Sequence, residues 1–405
     1  MNTSGGTAQA IFCTCPRGLE SALADELAEI GIPDAAAVAG GVHCSGSWAD
    51  CYRANLHSRL ASRILWRVAH GAYRSEDDVY RLALAQSWGD WFDPGQTIRV
   101  DVTAAKIQAA QRKFGSSEFL TLRIKDAICD RLREETGERP SVDTHRPDVR
   151  IFAFLDADAC TLYMDTSGEA LFKRGWRSAA GEAPLRENLA AGILRLAGWR
   201  PGIALLDPMC GSGTFAVEAA QIGLGIAPGA NRSFGFEKLK NFDFPVWKEI
   251  LGGAAKTSSP TLDSLGIFAS DVSGDAVAAT RANLQRAGVP AEIAMEIAPK
   301  QIDARHVKPP ASGEPGIVVV NPPYGERVGV RGADLATEFF AEFGNTLKQR
   351  FAGWQVYVLT SDLAFQKKLR LAPKKRIPLF NGAIECRLYA FDLVAGSNRR
   401  TAVKG

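Results

Sequence analysis

Apolar residues along the chain follow two different rhythms, which meet near residue 180. In the first half the runs are short and mixed in period. Ala8–Cys13 predicts a strand, and Leu19, Leu23, Leu27 and Ile30 then recur at helical spacing until Gly31 and Pro33 stop the helix. Val38 to Cys44, broken by Gly40-Gly41, predicts a hairpin strand, and Trp88, Trp91 and Phe92 lead into the turn Asp93-Pro94-Gly95. An alternating strand over 97–103 follows, then a helix near 118–135 closed by Gly137. The pair 151–155 and 160–165, joined by Asp156–Asp158, completes the region. Strands interleaved with helices in this way predict an α+β region ending near residue 170.

Beyond Gly181 the alternation becomes regular. A helix from Pro184 to Leu196 precedes strand 203–206, helix 214–222, strand 267–270, helix 275–288, a strand near 293–297, strand 316–320, helix 333–351, strand 356–360 and a last strand 387–393. Such a series predicts a parallel sheet covered by helices on both faces. The turn signal Asn381-Gly382 suits an antiparallel edge.

Two junctions in this half carry chemistry. Strand 203–206 runs into Asp207-Pro208-Met209-Cys210-Gly211-Ser212-Gly213-Thr214 and then a helix. Glycines there let a ligand approach the backbone. A phosphate-binding P-loop needs Lys-Ser/Thr after its second glycine, and this chain has Thr214-Phe215. A dinucleotide fingerprint survives only with Ala216 in its last position. Asp207 fits neither, because a carboxylate repels pyrophosphate and suits an ammonium. The pattern is therefore read as a site for S-adenosylmethionine, with Asp207, Pro208, Cys210, Gly211 and Gly213 as candidate contacts. Asp271, ending the next strand, is a candidate for the ribose hydroxyls, Asp303 for the adenine amine, and Asp275 for a helix N-cap.

The second junction is Val318-Val319-Val320 followed by Asn321-Pro322-Pro323-Tyr324-Gly325. Prolines fix the turn and remove ladder donors. The Asn321 side-chain oxygen and the Pro322 carbonyl can both accept hydrogen bonds from an exocyclic amine, while Tyr324 stacks on its base. Asn321, Pro322, Pro323 and Tyr324 are the candidate catalytic residues, with Asn321 also at the cofactor. A base inside a duplex must be flipped out to reach them.

Composition refines this only slightly. The 405 residues carry 48 basic and 45 acidic side chains, a net charge of +3 that selects no partner class. Its distribution says more: Lys173-Arg174-Gly175-Trp176-Arg177 and the stretch 366–405 are basic. Lys173, Arg174, Trp176 and Arg177 are the candidate RNA contacts. Eight cysteines without zinc-site spacing predict reduced thiols and no metal. No run is long enough to span a bilayer and no secretory signal is visible, so a cytoplasmic protein without membrane contact is expected. The aromatic-rich insertion 225–260, with Phe234, Phe236, Phe242, Phe244 and Trp247, reads either as a base or backbone contact or as packing.

These motifs resemble those of THUMP-domain class I methyltransferases, most of all the large-subunit (23S) ribosomal RNA guanine-N2 methyltransferases. The resemblance covers nearly the whole chain. It rests on Arg17-Gly18-Leu19-Glu20, Gly40-Gly41-Val42-His43, residues 58–64, Lys125-Asp126-Ala127-Ile128, Asp165-Thr166-Ser167-Gly168, residues 173–177, residues 184–191, and the two junctions just described, extended through Glu326-Arg327. It implies a Rossmann-like α/β methyltransferase with a mixed seven-stranded sheet, preceded by α+β ferredoxin-like and THUMP domains. The expected boundaries are a ferredoxin-like subdomain over 1–60, THUMP over 61–170, a linker over 171–183, the methyltransferase over 184–396 and a tail over 397–405.

The implied activity is methyl transfer from S-adenosylmethionine to the N2 amine of a guanine in large-subunit rRNA or its assembly intermediate. Some family members carry a second, C-terminal methyltransferase, and none is expected within these residues. A transfer-RNA guanine, an adenine-N6 target and a non-catalytic assembly factor stand as alternatives, since Asn-Pro-Pro-Tyr presents the same acceptors to either exocyclic amine.

Overall fold

A computed structural model of the chain describes residues 8–104, 117–177, 184–256, 265–310, 314–322 and 333–394. It divides into two compact units that exchange chain segments. One holds Met1–Cys15, Glu20–Lys173 and Ala227–Lys256; the other holds Pro16–Leu19, Arg174–Ile226 and Thr257–Gly405.

The first unit is built on strands β1 (Gln9–Thr14), β2 (Ala36–Val38), β3 (Gly41–Gly46), β4 (Arg63–Ala72), β5 (Ile98–Ala104), β6 (Val149–Leu155) and β7 (Ala159–Asp165). They form one sheet in the order β2-β3-β1-β4-β7-β6-β5. Since β1 pairs antiparallel with both β3 and β4, the expected boundary near residue 60 falls inside a continuous sheet. Among the helices outside the sequence-based reading are Trp48–His57 and Glu76–Leu84. Each opens on a capping box, Ser47 with Asp50 and Ser75 with Asp78, a local signal present in the sequence.

The insertion completes this unit's core. Phe234, Phe236 and Trp247 are buried, and the Phe236 and Tyr52 ring centroids lie 4.5 Å apart. Phe236 also stacks on Phe234 at 5.1 Å and meets the Trp247 edge at 5.1 Å. Of the two readings of this segment, the structure selects packing, with Phe244 alone of the five left exposed.

The second unit contains β8 (Leu205–Asp207), β9 (Ile267–Asp271), β10 (Lys300–Gln301), β11 (Ile317–Val320), β12 (Gln355–Thr360), β13 (Lys375–Asn381) and β14 (Ile384–Asp392). The order is β10-β9-β8-β11-β12-β14-β13. The first five strands in that order run parallel, and β14 pairs antiparallel with β12 and β13. This is the mixed seven-stranded sheet of the expected fold class. Val318, Val320, Val356 and Val358 pack with Phe343, Leu347 and Phe391 in its core.

Two local expectations are corrected. Residues Ala291–Ile297 form a helix, not a strand. Alanine, glutamate and methionine favour helix, and Ile293 and Ile297 stand four apart on one helical face. The N-cap of helix Gly274–Arg286 is Ser273, which accepts from the Ala276 amide, so Asp275 sits in the first turn instead.

Phe236 is fully buried in the aromatic cluster. Phe236→Ala is expected to lower stability by about 3–5 kcal/mol, read by urea denaturation. A loss below about 1 kcal/mol would show that the insertion is not part of the core.

Candidate active site

Strand β8 lies between β9 and β11; its own connection leads to β9 while that of β11 leads away to β12, so the strand order reverses between β8 and β11. In parallel α/β sheets the crevice at the carboxyl ends of such a reversal is where ligands bind. A cavity of about 510 Å³ occupies this place, lined among others by Asp207, Met209, Gly211, Asp271, Asp303 and Asn321. Its size suits a ligand of nucleoside dimensions. It also brings together the ends of β8, β9 and β11, where the two sequence motifs lie.

The loop 207–213 is held by its neighbours rather than by its own side chains. Cys210 donates its amide to the Ser270 carbonyl at 2.9 Å, and Gly213 closes a turn onto Cys210 at 2.7 Å. The Gly211 carbonyl accepts from the Thr280 hydroxyl at 2.9 Å, and the Ser212 carbonyl from the Asn283 amide at 2.8 Å. Gly211 in turn donates to the Asp271 carboxylate at 2.9 Å. Gly213 has φ +81°, and a Cβ there would stand 2.5 Å from the Thr280 methyl. Gly211 has φ +53°, with open space where its Cβ would point. One glycine is thus required for close packing and the other leaves room beside the cavity.

Asp207 is 3% exposed and accepts the Met209 amide at 3.2 Å. Among the described residues no cation pairs with it. Burial, reinforced by the nearby Asp271 charge, pushes its carboxyl up to about 8, against the weaker pull of the Met209 amide. Such a group suits a cationic partner arriving from solution. Cys210 lines the cavity beside it, and burial pushes its thiol up. Asp271 spends one oxygen on Gly211 and the other on the Ser273 amide, both at 2.9 Å. A carboxylate has about four acceptor positions, so capacity remains for hydroxyl donors. Asp303 lines the cavity with its oxygens bridged by Arg305, at 2.7 Å for the shortest contact. That guanidinium holds the Asp303 carboxyl below the usual carboxylate range.

Asn321 directly follows β11 on the cavity wall, with Pro322 buried beside it. The Asn321 side-chain oxygen is buried and, among the described residues, receives no hydrogen bond. A buried acceptor left unsatisfied costs about 1–3 kcal/mol, which makes this position ready for a donor from a ligand. Pro323 and Tyr324 lie outside the described residues.

The expected RNA contacts require correction. Arg174 is buried and paired with the fully buried Glu218 at 3.3 Å. Trp176 is 2% exposed, and its carbonyl accepts from Arg286. Arg177 is half-buried and turned inward: it pairs with Glu187 at 3.0 Å and donates to the Ser212 and Thr214 hydroxyls, both at 2.9 Å. Burial raises the Glu187 carboxyl, and the Arg177 charge counters that rise. Only Lys173 is exposed, and it pairs with Glu169 at 2.5 Å. A short basic run carries no local mark of partners far along the chain, which is why it resembled a surface. Thr280, Asn283 and Glu187, all absent from the sequence-based site, prove to be its supports. Glu187 at the start of its helix was their only visible signal.

Three regions match described families. Residues 10–65 match the RlmL ferredoxin-like domain, 73–165 the THUMP domain, and 174–390 the family described as RMKL-like, methyltransferase domain. The chain is 40% identical over 391 residues to the "Ribosomal RNA large subunit methyltransferase K/L" of Methylococcus capsulatus, covering 94% of this chain and 51% of that protein. It therefore spans about half the length of such relatives. It is 35% identical to the "Putative RNA methyltransferase slr0064" of Synechocystis, covering 96% of this chain and 97% of that one. The crystal structure of SMU.472 complexed with SAH superposes with a TM-score of 0.82 at 28% identity, covering 97% of this chain and 100% of that chain. A relative matched from end to end, with a cavity at the carboxyl ends of β8, β9 and β11, makes this chain a member of the RMKL-like family of S-adenosylmethionine-dependent, THUMP-containing methyltransferases.

Proposed function

We propose that the chain methylates the exocyclic N2 amine of a guanine in large-subunit ribosomal RNA. The observation that carries this reading is the buried Asn321 oxygen on the cavity wall, an acceptor that no donor among the described residues satisfies. The names of the relatives, RNA in one case and large-subunit rRNA in the other, supply the substrate class.

In this reading the cavity residues divide the work. Asp207 accepts the ammonium of an amino-acid group. Ser212 and Thr214 accept hydrogen bonds from Arg177, which leaves their hydroxyl protons free for a carboxylate. Asp271 has remaining acceptor positions for ribose hydroxyls, and Pro208, Cys210, Gly211 and Gly213 shape the loop against the ligand. Asp303 borders the adenine end with Arg305 beside it. When bound, S-adenosylmethionine supplies a methyl group on a positively charged sulfonium, so the amine needs orientation more than a strong base. Asn321 and the Pro322 carbonyl hold that amine, with Pro323 and Tyr324 completing the motif around a base flipped from its stack.

Three outcomes test this reading. Asn321→Ala is expected to lower kcat on RNA by about 100-fold, with SAH affinity unchanged within error by calorimetry. Mass mapping of the product should show N2-methylguanosine in large-subunit rRNA. N6-methyladenosine, or a product found only in transfer RNA, would overturn the assignment.

The raised Asp207 carboxyl predicts a pH dependence with a definite sign. Binding an ammonium requires the carboxylate, so SAH affinity should fall by up to about tenfold per pH unit below 8. Asp207→Asn should abolish that slope along with most of the affinity. Its effect on stability runs the other way: a carboxyl raised by folding favours the fold at low pH, and that contribution is lost as pH rises through 8. The Asn variant should therefore melt higher than wild type at pH 8.5 without ligand.

Arg177→Ala is expected to weaken SAH binding and lower Tm. It should leave the salt slope of RNA binding unchanged, since this side chain is committed to the loop.

A further inference from the structure

Beyond β10 the chain passes through Ile302, whose amide donates to the Asp271 carbonyl at 2.9 Å, into Asp303-Ala304-Arg305. Asp303 caps the short turn Ala304–His306 and accepts the Arg305 amide on Oδ1 at 2.8 Å. A cap needs no more than that one bond. Here the Arg305 side chain also folds back onto the same carboxylate. Its Nε lies 3.1 Å from Oδ1 and 3.2 Å from Oδ2, and its Nη2 donates to Oδ2 at 2.7 Å. The amide alone tethers one oxygen, whereas the guanidinium fork fixes the plane of the group.

Arg305 is itself gripped from the helix Ala333–Arg350. Phe339, Glu342 and Thr346 are spaced three and four apart, so they share one face of that helix. Glu342 accepts from the Arg305 Nη1 at 2.9 Å, and Thr346 donates its hydroxyl to the Arg305 carbonyl at 2.6 Å. The Phe339 ring centroid lies 5.4 Å from the guanidinium carbon. Arg350, one turn on, donates to the His306 and Val307 carbonyls, both at 3.1 Å. One stripe of the helix therefore holds the whole turn. Two members of this arrangement, Asp303 and Phe339, line the cavity.

Its chemical use follows from counting acceptors. A carboxylate has about four acceptor positions. The Arg305 amide and Nε occupy those on Oδ1, and Nη2 takes one on Oδ2, which leaves Oδ2 a position for a donor in the cavity. The guanidinium also holds the Asp303 carboxyl below the usual carboxylate range, so the group stays ionised. An ionised carboxylate accepts and never donates. It therefore favours a purine with an amine at position 6 and opposes one with an oxygen there.

We propose that Arg305 is a positioning residue for cofactor selection: by fixing the Asp303 carboxylate, it makes the cavity choose a 6-aminopurine over a 6-oxopurine. The proposal rests on the reading above that Asp303 borders the adenine end, and it adds the group that gives Asp303 its direction.

The test is calorimetry of the full chain with SAH and with S-inosylhomocysteine, which carries an oxygen in place of the 6-amine. Wild type is expected to favour SAH by about 10–100-fold. Asp303→Ala should bring that ratio to within about threefold of one. Arg305→Met keeps the aliphatic stem and removes the fork. It should lower the ratio by at least about fivefold, mainly through weaker SAH binding. A merely structural role would weaken both ligands alike and leave the ratio in place. That result, with Asp303→Ala still lowering the ratio, overturns the role of Arg305 while the Asp303 reading stands. An unchanged ratio in Asp303→Ala, or a wild type that does not discriminate, overturns both. If Arg305→Met does not fold, Glu342→Gln decides, at an exposed position that touches Arg305 but not the cavity. It should lower the ratio by about twofold, and an unchanged ratio overturns the proposal.

Discussion

The carbonyls of Gly211 and Ser212 are anchored by Thr280 and Asn283 of the neighbouring helix, and most of the site follows from those two bonds. A glycine-rich turn has the freedom to adopt many shapes, and ordering it costs entropy. Here buried side chains on one side and Arg177 on the other fix a single shape. Supports that are themselves packed are what hold a binding site to the tolerance chemistry needs. Thr280 is fully buried, as is most of Asn283, so neither is free to rearrange when a ligand arrives.

The same region carries a stored cost. Among the described residues Asp207 is enclosed next to Asp271 without a cation, and the Asn321 oxygen is enclosed without a donor. Each is unfavourable for folding alone, and each becomes favourable when a ligand supplies the missing charge or hydrogen. Polar groups left wanting in the same cavity are more informative than the cavity's volume, because packing requirements would remove them.

The sequence made the second sheet legible because buried parallel strands read as short apolar runs, and the polar residues ending them stand out. Asp207, Asp271 and Asn321 all follow such runs, and all line the cavity. Local patterning said less where long-range partners decide. Arg174 meets Glu218, and Arg177 meets Ser212 and Thr214, across stretches of chain that no window spans. The helix Ala291–Ile297 was misread because a short segment with two isoleucines satisfies either period. The helices Trp48–His57 and Glu76–Leu84 were missed although their capping boxes are plain in the sequence.

The exchange of segments between the units has a bearing on biosynthesis. The first unit's core needs Phe236 and Trp247, which lie beyond the first strand of the second unit's sheet. A ribosome adding about 5–20 residues per second must therefore extend the chain well past residue 173 before Tyr52 can be covered. Until then an aromatic surface stays open on the nascent chain. The first unit's segments are all present once Lys256 has been added, when the second unit's sheet still has only β8, so the order of synthesis lets the first unit close before the second.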